Sequence, residues 1–106
     1  MISKRFGKKR PGCKVDFTLP ADLAAVAKTA YLVGDFNDWN ETATPMKKGR
    51  GPVFRVTLEL DINREYAFRY LVNGSWHSEP EADRFVSNPF GGDNSIVTTY
   101  PPDVQE

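Results

Sequence analysis

Short runs of alternating apolar and polar residues, separated by glycine and proline, dominate this sequence. Apolar side chains occupy every second position over residues 14–19, 53–60 and 65–72. Because neighbouring side chains of a β-strand point to opposite faces, this period predicts strands with one buried face. Residues 31–36 are more uniformly apolar and predict a more deeply buried strand, and residues 95–100 predict a last strand. A shared β-sheet core is therefore the main constraint on the fold.

Turn-forming residues separate the predicted strands. Pro20 follows the first run, residues 49–52 contain two glycines and a proline, and Asn73-Gly74 is a strong hairpin signal. Only residues 21–28 favour a helix, and that segment is short. Short strands at this spacing predict an all-β fold, a β-sandwich of about 6–8 strands.

Length and charge limit the classes of function. The chain has 106 residues, which suits one domain with a single modest core. Its 14 basic and 14 acidic side chains balance, so no strong overall field favours nucleic acid or an anionic membrane. No apolar run approaches the ~18 residues that a transmembrane helix needs, and residues 1–9 lack the apolar stretch of a secretory signal. We expect a cytoplasmic protein that does not associate with membranes.

Charge is distributed unevenly along the chain. Six basic residues and no acidic ones fall within residues 1–14, whereas the remainder carries a net charge of −6. We therefore expect residues 1–12 to form a flexible basic arm, residues 13–100 a single sandwich and residues 101–106 a tail. Such an arm is able to contact phosphate backbones, but the acidic body disfavours nucleic acid as a partner.

Residue types that support catalysis are sparse. His77 is the single histidine and has no nucleophile motif beside it, and we expect an apolar structural role for Cys13, the single cysteine. Glu79, Glu81 and Asp83 form an acidic loop that we expect to be solvated rather than to supply paired catalytic carboxylates. No Cys/His cluster with zinc-ligand spacing and no glycine-rich phosphate loop occurs. We therefore expect no enzyme activity, no metal site and no cofactor.

Both tryptophans stand in polar segments rich in turn-forming residues. Trp39 lies within F-N-D-W-N and Trp76 within N-G-S-W-H. An indole presents ~150–250 Å² of mostly apolar surface, so such a position implies a partner. Three partners fit: a sugar ring flanked by hydrogen-bonding side chains, a stacked nucleobase, or the sandwich core, over which each indole would close as a lid.

Four motifs in a fixed order extend this observation. They are Y-L-V-G-D-F-N-D-W at residues 31–39, P-M at 45–46, F-R-Y-L-V-N-G-S-W at 68–76 and N-P-F-G-G-D-N-S-I-V at 88–97. Together they resemble carbohydrate-binding module family 48, whose signature includes V-G-x-F-N-x-W. The family includes isoamylase-type early-set domains and the glycogen-binding domain of the AMP-activated protein kinase β subunit. The resemblance spans about residues 13–99.

The resemblance implies an immunoglobulin-like, early-set β-sandwich that binds an α-glucan such as glycogen, starch or a maltooligosaccharide without catalysis. In glycogen-binding members two tryptophans stack on consecutive glucose units, and Trp39 and Trp76 match them. Arg69 matches a basic residue that binds a sugar hydroxyl, and Asn94 matches an asparagine that does the same. Phe90 matches an apolar residue that projects into the curl of the glucan chain.

Two further features concern this implied site. With Phe68 and Tyr70 pointing inward, the alternation predicts that Arg69 points outward, where it can meet a ligand. The sequence also departs from the kinase-type domain, which has a leucine where Phe90 stands and a threonine where Gly92 stands.

An interaction module is the alternative hypothesis. In this interpretation the sandwich docks on a glucan-metabolising enzyme or a regulatory partner and binds sugar only weakly. The aromatic patch would then be its contact surface.

Overall fold

The computed structural model describes residues 1–6, 12–89 and 92–101, which form a β-sandwich. The described elements are β1 (Ile2–Phe6), β2 (Cys13–Thr18), α1 (Ala21–Val26), β3 (Ala30–Gly34), β4 (Lys47–Lys48), β5 (Phe54–Leu60), β6 (Glu65–Val72), β7 (Ser75–His77), β8 (Arg84–Ser87) and β9 (Asp93–Thr98). One antiparallel sheet has the order β1-β2-β5-β4, and the other has the order β3-β6-β9-β8, with β7 paired to β6. The all-β prediction is confirmed.

The core lies between the sheets and consists of the alternating apolar positions. Phe17 of β2 and both Phe68 and Tyr70 of β6 are fully buried. The Phe68 ring packs edge-on against Phe17, with ring centroids 5.1 Å apart, and against Tyr70 at 5.8 Å. Cys13 is buried in the same core, as its predicted apolar role requires, and this burial raises the pKa of its thiol.

Strands that contain buried residues match their predictions better than exposed strands. The predicted strands that correspond to β2, β3, β5 and β6 agree within two residues at each end. The last strand begins earlier than predicted because Asp93 pairs with Ser87 in the β8–β9 hairpin. The alternation did not predict β1, β4, β7 or β8, none of which has a fully buried residue to mark a face, although the Asn73-Gly74 signal predicted the turn before β7. Among the described residues, no helix has the length and apolarity needed to cross a bilayer.

The expected flexible arm is wrong for the first residues, which form the edge strand β1. Here Lys4 Nζ donates to Oδ2 of Asp83 at 2.7 Å, and this ion pair links β1 to the loop before β8 in the other sheet. Arg5 Nη2 donates to Oδ1 of Asp16 at 3.0 Å. Asp83 lies 79 residues from Lys4, and Asp16 lies on the neighbouring strand β2, so charge counting along the chain does not predict these contacts. Residues 7–11 of the expected arm lie outside the described residues.

The acidic loop also differs from the prediction, because Glu79 is fully buried rather than solvated. Its Oε1 accepts a hydrogen bond from the Tyr70 hydroxyl at 2.6 Å and lies 2.5 Å from the amino group of Met1. Its Oε2 accepts the backbone N–H of Glu81 at 2.8 Å. Burial, and then the contact with Glu79, raise the pKa of Tyr70 far above its usual range. The sequence pattern placed Tyr70 in the core but did not reveal which acceptor satisfies its hydroxyl.

Candidate functional site

The loop that follows β3 presents Trp39. This strand ends at Gly34, where a Cβ atom would stand 2.5 Å from the carbonyl oxygen of Ala67 on β6. Only glycine permits such a close approach of two strands. A single 3-10 turn, Asp35–Asn37, then carries the chain away from the sheet. The glycine of the V-G-D-F-N-D-W motif is therefore needed for packing.

Hydrogen bonds from Asn37 hold this loop in an unusual conformation. Its Oδ1 accepts the N–H of Gly34 at 3.1 Å, and its Nδ2 donates to the carbonyl of Leu32 at 3.0 Å. The next two residues, Asp38 and Trp39, both have φ of 57°, in the left-handed region. That conformation costs a non-glycine residue about 1–2 kcal/mol, so the surrounding contacts must impose it.

Asp35 joins the Trp39 side chain to the sheet. Its Oδ1 accepts the indole Nε1–H at 2.8 Å, and its Oδ2 accepts the backbone N–H of Ala67 at 2.8 Å. The backbone N–H of Trp39 donates to the carbonyl of Gly34 at 2.8 Å. Among the described residues, neither Trp39 nor Trp76 belongs to the core cluster, which argues against indoles that act as lids over the core.

Arg69 and Trp76 lie side by side on the outer face of the second sheet. Phe68 and Tyr70 are buried, and Arg69 between them points outward, as the alternation predicts. Trp76 pairs with Leu71 across β6 and β7, and 38% of its surface is exposed. The guanidinium carbon of Arg69 lies 5.8 Å from the centre of the Trp76 ring, a cation–π distance.

Gly92 bounds the other side of the Arg69 guanidinium. It has φ of +78°, and a Cβ atom there would stand 3.1 Å from Nη2 of Arg69. The Nε of Arg69 is buried and has no hydrogen-bond partner among the described residues. No described carboxylate lies within ion-pair distance of this guanidinium. The positive charge of Arg69 is therefore not neutralised by the part of the chain that the structure describes.

A groove of about 320 Å³ separates the Trp39 loop from the β8–β9 hairpin. The residues that line it are Trp39, Asn88, Pro89 and Asn94. Nδ2 of Asn88 donates to Oδ1 of Asn94 at 3.0 Å, which orients both amides. The backbone N–H of Asn88 donates to the carbonyl of Gly92 at 3.1 Å, and Gly92 in turn abuts Arg69. These contacts connect the groove to the Arg69–Trp76 pair in one continuous surface.

Comparison with known families identifies the family of this chain. The model of carbohydrate-binding module 48, described as the isoamylase N-terminal domain, matches residues 7–91. The chain belongs to this family. Family 48 consists of non-catalytic carbohydrate-binding modules with an early-set, immunoglobulin-like fold, which agrees with the observed sandwich. No individual curated protein shows significant similarity to the chain.

The module brings together four of the five residues that the sequence suggested as its site. They are Trp39, Arg69, Trp76 and Asn94. Phe68 of β6 pairs with Ser95 of β9 and both are buried, so their neighbours Arg69 and Asn94 share the outer face. The fifth residue, Phe90, lies outside the described residues.

Sequence reasoning missed two residues of the module's surface. Asp35 lies within the signature motif, and its spacing of four residues from Trp39 was the available signal, because a tight turn brings such positions together. Asn88 stands six residues before Asn94 across a hairpin. Its contact depends on the hairpin register, for which the sequence carries no strong signal.

Proposed function

We propose that the module binds α-glucan chains, such as glycogen, starch or maltooligosaccharides, without altering them. Trp39 and Trp76 each stack on a glucose unit. Arg69 and Asn94 form hydrogen bonds with sugar hydroxyls, and Phe90 projects into the curl of the chain. Beyond family membership, one observation carries the proposal: an exposed indole, an unneutralised guanidinium and a groove lined by amides share one sheet face.

The chemistry of this face suits a glucose polymer. A pyranose ring presents an apolar C–H face surrounded by hydroxyl groups, so it needs a flat apolar platform with polar groups at the edge. Trp76 supplies such a platform, with Arg69 at its side. Hydroxyl oxygens accept hydrogen bonds from a guanidinium, and amides of the Asn88–Asn94 pair both donate and accept.

The two tryptophans are anchored at separate points along β6. Asp35 ties Trp39 to Ala67, whereas Trp76 pairs with Leu71. At about 3.3 Å per strand residue these anchors are ~13 Å apart, with Arg69 between them. This separation favours a ligand of more than one sugar ring and agrees with recognition of a chain rather than of free glucose.

The shallow site predicts weak binding of short sugars. The groove beside Trp39 is open and Trp76 is exposed, so we expect dissociation constants of ~10–1000 μM for maltooligosaccharides. A polymeric glucan offers many overlapping sites, which raises the apparent affinity without new contacts.

A titration of maltoheptaose and β-cyclodextrin, followed by tryptophan fluorescence and by ¹H–¹⁵N NMR spectra, tests the proposal. We expect saturable changes centred on Trp39 and Trp76, and at least a tenfold loss of affinity in both Trp39→Ala and Trp76→Ala. Tyr100→Ala removes an aromatic ring that is 53% exposed outside this site and serves as the matched control. Cellohexaose, with β-linkages, tests the preference for α-linked chains.

The outcome of this titration separates binding from folding. Variants that keep the cooperative unfolding transition of the wild type but lose the sugar support the proposal. Absence of any change at millimolar maltoheptaose in the wild type contradicts it.

Docking on a glucan-metabolising enzyme is the second candidate function. Phe85 and Val86 favour it, because they are 45% and 41% exposed on the edge strand β8. Phe85 also lines a groove of about 370 Å³ with Leu23 and His77. Capture of such an enzyme that persists in excess maltoheptaose and is lost in Phe85→Ser would favour docking over sugar binding.

A further inference from the structure

We infer that Asp35 is a positioning residue that orients the Trp39 indole for sugar binding before any ligand arrives. This inference rests on the proposed function and adds to it a residue that contacts the tryptophan rather than the sugar. The Asp35 carboxylate uses one oxygen for the indole Nε1–H and the other for the backbone N–H of Ala67, both at 2.8 Å. The carboxylate therefore connects the ring to β6 directly.

The second of these bonds explains why the carboxylate is held in place. β3 ends at Gly34, which pairs with Phe68, so the backbone N–H of Ala67 on β6 has no β3 residue opposite it, whereas Ile96 of β9 pairs with Ala67 on its other side. Asp35 Oδ2 accepts this N–H in place of a strand carbonyl. The carboxylate is thus fixed by the end of the sheet, and its remaining oxygen faces the indole at a defined position.

The backbone of the loop is organised around the same contact. Asp38 and Trp39 adopt the left-handed conformation in succession, and neither is a glycine. This conformation turns the Trp39 side chain back toward Asp35, four residues earlier. Strained residues persist only where surrounding contacts impose them, and they concentrate at functional positions. A ring that is already oriented loses less entropy when a sugar stacks on it, which raises affinity.

A double-mutant cycle isolates this role. Trp39→Phe keeps an aromatic platform but lacks the Nε1–H donor, and it leaves the bond between Asp35 and Ala67 intact. Asp35→Ala removes the acceptor, and Asp35→Asn preserves the shape but can accept only one of the two N–H groups. We expect Asp35→Ala to weaken maltoheptaose binding about fivefold in the wild type, the size of one hydrogen bond. In the Trp39→Phe background we expect it to have little further effect.

Two controls accompany the cycle. Glu41→Gln removes an exposed carboxylate from the same loop and should leave binding unchanged if charge alone is not the cause. The indole ¹H–¹⁵N resonance of Trp39, assigned by its absence in Trp39→Phe, reports the hydrogen bond without any ligand. In Asp35→Ala this resonance should shift and exchange faster with water, while that of Trp76 stays in place.

The results distinguish failure of the inference from failure of the proposed function. Equal losses from Asp35→Ala in the Trp39 and Trp39→Phe backgrounds, or no loss in either, would overturn the positioning role. An unchanged Trp39 indole resonance in both Asp35→Ala and Asp35→Asn would also overturn it. If the proposed function fails instead, neither the wild type nor any variant binds maltoheptaose, yet the indole resonance of Trp39 still shifts in Asp35→Ala.

Discussion

The hydroxyl of Tyr70 donates a hydrogen bond to Oε1 of Glu79 at 2.6 Å, and both side chains are buried in the sandwich. Tyr70 lies on β6 directly after Arg69, so the strand that carries the candidate site on its outer face is held on its inner face by this polar contact. A buried carboxylate without hydrogen-bond donors destabilises a fold, so the core must supply Glu79 with a donor such as the Tyr70 hydroxyl.

Removal of this hydroxyl should destabilise the fold without affecting sugar binding. Tyr70→Phe leaves one oxygen of the buried Glu79 with fewer donors, and hydrogen bonds to charged groups contribute about 1.5–3 kcal/mol. We expect urea unfolding to show a loss of about 2 kcal/mol in the free energy of unfolding. Tyr100→Phe, at an exposed ring, is the control and should unfold like the wild type.

Alkaline pH should destabilise the protein through the same residue. Burial and the Glu79 contact raise the pKa of Tyr70, so the folded form keeps its proton after the unfolded chain begins to lose it near pH 10. The unfolded state then binds fewer protons, and stability falls as the pH rises, by up to about 1.4 kcal/mol per unit for one group. Between pH 8 and pH 11, the free energy of unfolding should fall less steeply in Tyr70→Phe than in the wild type. Parallel curves would contradict this assignment.

Acid should weaken the contact between β1 and the other sheet. Burial alone would raise the pKa of Asp83, but hydrogen bonds from Lys4 and Thr98 outweigh it and lower the pKa. The stabilisation is therefore present above the pKa of Asp83 in the unfolded chain, about 4, and is lost as the pH falls through the lower pKa of the folded state. Lys4→Gln should lower the free energy of unfolding by up to about 1 kcal/mol at pH 7. Below about pH 4, the difference in this free energy between the variant and the wild type should become smaller. The same difference at pH 7 and pH 3, or an equal loss in the exposed control Lys48→Gln, would refute the prediction.

Gly92 should matter for both the backbone and the site. Gly92→Ala places a Cβ against Arg69 at a φ of +78°, whereas Gly51→Ala meets no atom within 4 Å at a φ of +64°. Both substitutions should cost about 1–2 kcal/mol of stability, because the left-handed conformation disfavours alanine. Only Gly92→Ala should also weaken maltoheptaose binding, by displacing the Arg69 guanidinium from Trp76. Calorimetry on the two variants checks this, and equal affinities would rule out the coupling.

Asn73 should stabilise the fold beyond its role in the hairpin. Its Oδ1 accepts the N–H groups of Lys28 and Thr29 at 2.7 and 3.1 Å, and its Nδ2 donates to the carbonyl of Val26 at 3.0 Å. Asn73→Ala loses these bonds and also places an alanine at a φ of 52°, a conformation that alanine disfavours. We therefore expect the free energy of unfolding to fall by about 2 kcal/mol. Asn73→Gly relieves the strain but not the lost bonds, and recovery of full stability in that variant would show that the bonds contribute little.

The sequence was most informative where the pattern is local. Alternation predicted β2, β5 and β6, and the turn signal at Asn73-Gly74 predicted the hairpin between β6 and β7. The motif resemblance selected Trp39, Arg69, Trp76, Phe90 and Asn94 as candidates, and the alternation independently placed Arg69 on the outer face. None of these inferences required knowledge of which distant segments meet.

Contacts between distant segments escaped sequence analysis. Charge counting assigned Lys4 to a flexible arm, although its partner Asp83 lies 79 residues away in the chain. The acidic loop was expected to be solvated, although Glu79 accepts a hydrogen bond from the core residue Tyr70. A local pattern describes which face of an element is apolar, but it does not specify the partner of an individual polar group.

The sequence by itself determined the β-sandwich class, the family and the residue types of the candidate site, because strand periodicity and motif spacing are local properties. Tertiary structure alone decided that Asp35 reaches the Trp39 indole while it closes the end of the sheet at Ala67. It also decided that Gly92 leaves space for the Arg69 guanidinium beside Trp76. These arrangements depend on strand register and on the crossing of loops over the sheet, and both are set by the packing of the whole domain.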